Sequence, residues 1–170
     1  MSSQPVFKRE NSPTALENPL AIILIVVLGT ILPMVLIFLE KTILPWPVVV
    51  EELGKGLVVY FFILPLVGDN RKLLIGFLFG MIFGISENIL YFLNFVNAGD
   101  LDLFWARFLW PLPMHLASVL LMVMAGLKNK KYFVIGLLAA LLLHCIYNTY
   151  LTKLIFNSVF LDGLLKGVSF

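Results

Sequence analysis

Long apolar runs separated by short polar breaks set the pattern of this chain. The first run extends from Leu20 to Leu39, and four more lie at 47–67, 73–96, 103–127 and 132–152. The breaks are Lys41 to Trp46, Gly68 to Lys72, Asn97 to Asp102 and Lys128 to Lys131. A hydrocarbon core about 30 Å thick is crossed by about 20 helical residues at about 1.5 Å each. The pattern therefore predicts an all-α membrane protein, a bundle of about five transmembrane helices. Asn18-Pro19 reads as a helix start, with Asn at the cap and Pro at the first helical position. No small-residue cleavage site closes the first run, which marks it as an anchor and not a removed signal.

The two ends read differently. Residues 1–18 are polar and turn-rich, with Lys8, Arg9, Ser12 and Pro13, and predict a disordered tail. Residues 19–152 read as a single transmembrane helical domain. Residues 153–170 carry Asp162 and Lys166 four positions apart. They are read as an interfacial helix, with a short sixth span as the alternative.

Composition agrees with the bilayer as solvent. Hydrophobic residues make up 61% of the chain and charged ones 13%, against about a quarter charged in soluble domains. Such a chain would aggregate in water. The net charge of +2 is too small to point to nucleic acid. The basic residues serve as topology markers instead: Lys8 and Arg9, Arg71 and Lys72, and Lys128, Lys130 and Lys131 fall on one side. Asp100 and Asp102 fall on the other. The positive-inside rule then places the N-terminus in the cytoplasm. The single cysteine, Cys145, excludes an intrachain disulfide and reads as a small packing residue.

Against this background, Glu51, Glu52, Lys55, Glu87, Arg107, His115 and His144 stand inside spans, with the amides Asn88 and Asn148. A charge at a span centre costs roughly 2.5–3.5 kcal/mol on insertion scales, so these residues pair, face a wet cavity or do chemistry. The topology puts them in one layer. Glu51 to Lys55 lie just below the outer surface. Glu87 lies nine residues before Val96, or about 14 Å deep. His115 falls near mid-membrane, and His144 and Asn148 fall in the outer half of the last span.

Local geometry sharpens the set. At about 100° per residue, Lys55 sits between Glu51 and Glu52, about one turn deeper. It can pair fully with only one, which leaves the other carboxylate as a general base for water. Headgroup positions for both carboxylates, with Lys55 snorkelling, are the plainer alternative. Gly76, Gly80 and Gly84 form a small-residue ridge that lets another helix approach, and Glu87 and Asn88 continue it. His144 and Asn148 share one face of a helix; a histidine and an amide can stabilise an oxyanion. Pro111 and Pro113 kink the span that carries His115. Arg107, one turn above Pro111, pairs with the acidic loop or holds a carboxylate of the site.

The segments "EELGK" (Glu51 to Lys55), "FGISEN" (Phe83 to Asn88), "PMH" (Pro113 to His115) and "HCIYN" (His144 to Asn148) resemble an ordered family pattern. It is that of the PrsW family of intramembrane proteases, within the CAAX-protease and bacteriocin-processing superfamily. Glu87 stands where the typical superfamily member has His, which is similar to the PrsW branch. The resemblance implies an intramembrane endopeptidase in a prokaryotic cell membrane, acting on a membrane-anchored protein or peptide. It implies that Glu51 or Glu52 activates water, with Glu87, His115, His144 and Asn148 positioning it or stabilising the tetrahedral intermediate. Lys55, Asn88 and Arg107 support them. Glu87, His115 and His144 form a candidate zinc set, but no HExxH-type spacing supports zinc, and the reading favours a site without cofactor. A small proton-coupled transporter is the competing function, because buried Glu, His and Lys also form ion pathways. A non-catalytic membrane scaffold is a third.

Overall fold

The structure is a computed structural model that describes residues 19–42, 46–98, 109–151 and 153. The expected tail (1–18), the acidic loop with Asp100 and Asp102, Arg107, and the segment 154–170 lie outside the described residues.

No strand is present among the described residues; five helices carry the chain. Helix α1 spans Pro19–Thr42. Helix α2 spans Pro47–Val58, runs on through a π-helical turn, Val59–Ile63, and ends in a short α turn, Leu64–Leu66. Helix α3 spans Asp69–Ala98, α4 Pro111–Lys128 and α5 Lys130–Ile146, the last followed by a π-helical turn, Tyr147–Leu151. Four stretches are long and apolar enough to cross a membrane: Pro19–Thr42, Asp69–Phe92, Pro111–Lys128 and Lys130–Tyr150. The glutamate-bearing α2 is broken. Pro65 has no N–H to give the carbonyl four residues back, and the preceding turn widens so that Leu64 N–H reaches Val59 O.

Apolar side chains cover the outside. Leu20, Phe38, Phe61, Leu138 and Leu142 are all exposed, as suits a surface facing lipid and not water. The chain is an integral, multi-pass membrane protein. Its buried face on α1 is a single stripe, Ala21, Ile25, Gly29, Pro33 and Leu36. The central core joins Val59 and Ile63 of α2, Phe79 and Phe83 of α3, and Val119, Met122 and Val123 of α4. Helices α4 and α5 form a tight hairpin through one extended residue, Asn129, whose side chain accepts from Lys131 N–H at 3.0 Å.

The glycine ridge of α3 faces α4. A Cβ on Gly80 would fall 3.1 Å from Leu116 Cα and 3.3 Å from His115 O. Both are backbone atoms, so a side chain there must displace α4 itself, and with it His115. Gly80→Val is expected to destabilise the protein by about 1–3 kcal/mol, the range for overpacking. Thermal unfolding in detergent measures it; an unchanged transition would remove the ridge from the account.

Pro111 and Pro113 occupy the first turn of α4, where the N–H groups have no intrahelical partner to lose. Leu109 is helical and Trp110 a turn; the earlier part of the expected fourth span, and with it the expected kink, lies outside the described residues. His115 is the fifth residue of α4. Glu51 is likewise the fifth residue of α2, which also starts at a proline. Two proline-started helices thus present their polar residues about one turn below their starts.

Candidate active site

Lys55 is fully buried, yet each proton of its ammonium has a partner. Nζ donates to Glu52 Oε1 and to Ser118 Oγ at 3.4 Å, and lies 3.2 Å from His115 Nδ1. It also stands 5.0 Å from the centre of the Phe83 ring, where the ring face attracts a cation. Ser118 in turn donates to His115 O at 3.0 Å. An ammonium with three partners is the form in which a buried lysine is tolerated.

Glu52, also fully buried, uses the same Oε1 to accept from His144 Nδ1 at 2.7 Å. That assigns the proton of a neutral His144 to Nδ1 and leaves the Nε2 lone pair free. His144 Nε2 lies 3.8 Å from Glu51 Oε2, beyond a hydrogen bond. The tautomer of His115 is the opposite one. An ammonium cannot accept, so Nδ1 accepts from Lys55, and a neutral ring carries its proton on Nε2. That nitrogen is 2.6 Å from Glu87 Oε2. The two imidazoles meet edge to face, with centroids 5.8 Å apart and planes at 85°.

Glu51 differs from Glu52 in having no such anchor. Its Oε2 is buried without a hydrogen-bond partner among the described residues. The same is true of Glu87 Oε2, which is close to His115 Nε2 but not aligned for a hydrogen bond. Buried carboxylate oxygens without partners are costly and call for a water, a proton or a cation. Glu51, Glu87 and His115 each offer one ligand atom, and these atoms lie within 4.8 Å of one another. Two free carboxylate oxygens and an imidazole nitrogen, all buried, fit a zinc ligand set with a position left open. The set expected from the sequence was Glu87, His115 and His144. The cluster the structure brings together has Glu51 where that set has His144.

Of the residues singled out in the sequence, Glu51, Glu52, Lys55, Glu87, His115 and His144 come together. Asn88 is buried beside Glu87 on α3. In the π turn that follows α5, Tyr147 is buried and Asn148 exposed. Two residues were missed. Ser118 lies one turn beyond His115, a spacing that a search for partners of His115 would have found. Glu40 follows Leu39, where the apolar run ends, and was not singled out.

The protein-family comparison bears on this arrangement directly. The model of the PrsW family intramembrane metalloproteases matches residues 20–166. The chain belongs to the PrsW family. No match was found among curated proteins or among solved structures. Membership makes the chain an intramembrane protease domain, and the matched span contains all four helices that build the polar layer. The family is described as one of metalloproteases, and Glu51, Glu87 and His115 of this PrsW chain could hold a metal ion. HExxH spacing does not apply to this cluster, because its three residues come from three different helices.

Proposed function

We propose that the chain hydrolyses a peptide bond of a membrane-anchored protein or peptide, with water activated where Glu51, Glu87 and His115 converge. The observation that carries this is the pair of buried, unpartnered oxygens on Glu51 and Glu87 beside a histidine of fixed tautomer. Glu51 accepts a proton from the water as its oxygen bonds to the peptide carbonyl carbon. The carbonyl electron pair moves onto oxygen, and His115 Nε2–H donates to that oxyanion. Glu51 then returns the proton to the amide nitrogen as the C–N bond breaks and the oxyanion collapses, which leaves a carboxylic acid and an amine that exchange a proton to give carboxylate and ammonium. Glu52 and Lys55 are positioning residues: one orients His144, the other His115.

Glu51, Glu87 and His115 would hold a zinc ion, His115 through a deprotonated Nε2, and the ion would supply Lewis-acid polarisation and acidification of the water. A carboxylate has two oxygens, so ligation by one leaves the other to accept a proton. Chelator-stripped protein dialysed against zinc should retain roughly one ion per chain. Glu87→Gln and His115→Ala should each lose it by elemental analysis. Unchanged stoichiometry in both variants would remove the ligand assignment.

The reaction itself is tested with a library of quenched transmembrane peptides in proteoliposomes. Cleavage in ¹⁸O-water should place one heavy oxygen in the new carboxylate. A substrate-dependent pH change without cleavage would replace proteolysis with transport.

A further inference from the structure

Glu40 is not used by the mechanism above, yet its placement carries three penalties. It lies in the last turn of α1, at the negative end of the helix dipole, where an anion is disfavoured. Its Oε1 is buried without a hydrogen-bond partner among the described residues. It also faces other carboxylates. A Cβ on Gly54 would fall 2.8 Å from Leu36 Cδ1, so α1 and α2 touch at Leu36 and Gly54. The two helices are joined by a short link and run antiparallel. One turn on from Leu36 along α1 is Glu40, and one turn back from Gly54 along α2 is Val50, next to Glu51. The Glu40 charge acts on both Glu51 and Glu87.

Among the described residues, the cation that acts on it is Lys41. Lys55 is committed to Glu52, His115 and Ser118. Lys41 is exposed and adjacent in sequence, and neighbours in a helix do not face each other. Among the described residues no ion pair joins them. Beside Glu40, the side chain of Glu51 is only 9% exposed and its Oε2 has no hydrogen-bond partner among the described residues, so an orphan acceptor in the same cluster points toward a ligand. Glu40 itself is half-buried, with its Oε1 inside.

We infer that Glu40 is a specificity residue at the mouth of the site, and that it receives a cationic group of the substrate: a lysine or arginine side chain near the scissile bond. This rests on the proteolytic reading. A cation seated there neutralises a charge that no ion pair meets among the described residues, and a carboxylate–ammonium hydrogen bond in a partly desolvated mouth is among the stronger polar contacts. The site therefore selects basic segments that flank an apolar stretch.

The test uses transmembrane peptides that carry a single Lys, Gln or Glu, scanned through the residues flanking the cleaved bond. Wild type is expected to prefer the lysine peptide over the glutamate peptide by on the order of tenfold in kcat/KM at one flanking position, the range of one charge-assisted hydrogen bond. Glu40→Gln should bring that ratio near unity, and Glu40→Lys should invert it. Inversion separates charge recognition from packing, and the isosteric Gln variant keeps the test open where the Lys variant does not fold. The same preference in wild type and in either variant would overturn this inference alone. No cleavage of any peptide by wild type would overturn the proteolytic reading and this one with it.

Discussion

Glu51→Gln is expected to lower kcat/KM by about 10²–10⁴-fold, the usual contribution of a positioned acid–base group, without loss of stability. The substitution keeps shape and removes only the capacity to take a proton from water. Its folding consequence is small for a structural reason. The hydrogen bonds that tie α2 to α4 and α5 run through Lys55 and Glu52; Glu51 Oε2 has no hydrogen-bond partner among the described residues and lies 3.8 Å from His144 Nε2. Removal of a buried, uncompensated charge does not weaken a fold. Glu52→Gln should behave differently. It weakens the contacts to Lys55 and His144 together, so activity and stability fall in parallel. Initial rates on a cleaved peptide, with melting curves on the same preparations, separate the two glutamates. Full activity of Glu51→Gln would end its role in the reaction.

Much of this site was legible in the sequence because of the solvent. A charge inside a 20-residue apolar run is so costly that each one is a signal. Span order and loop charge were enough to bring Glu51, Glu87, His115 and His144 to one layer, and the structure places them in contact. The ridge Gly76, Gly80 and Gly84 likewise marked a close helix approach. The sequence could not say which carboxylate Lys55 would take. By angle along α2, Glu51 is slightly nearer its line than Glu52. The structure pairs it with Glu52, because Ser118 and His115 on α4 fix where the ammonium sits and His144 on α5 fixes Glu52 from the other side. That choice depends on three helices at once.

Boundaries were the other loss. Hydropathy ended the first run at Leu39, so Glu40 fell outside it by one residue, although α1 continues to Thr42. The π turns after Val58 and after Ile146 leave no mark in composition.

Lys55→Met is expected to cost about 3–5 kcal/mol of stability, the penalty for stranding one partner of a buried ion pair. The lysine is fully buried against a fully buried Glu52, so neither water nor a surface counter-ion can take its place. The double variant Lys55→Met with Glu52→Gln should recover most of that loss, because replacing both members of a buried pair is often neutral. Gln still offers His144 an acceptor at the same position. Activity should not recover with stability. Without the ammonium at Nδ1, that nitrogen is no longer barred from carrying the proton; only Glu87 beside Nε2 still favours the working tautomer of His115. A well-folded but inactive double variant is therefore the expected result, read from denaturant titration in detergent alongside peptide cleavage. Equal recovery of both would mean that Lys55 serves the fold and leaves the chemistry of His115 untouched.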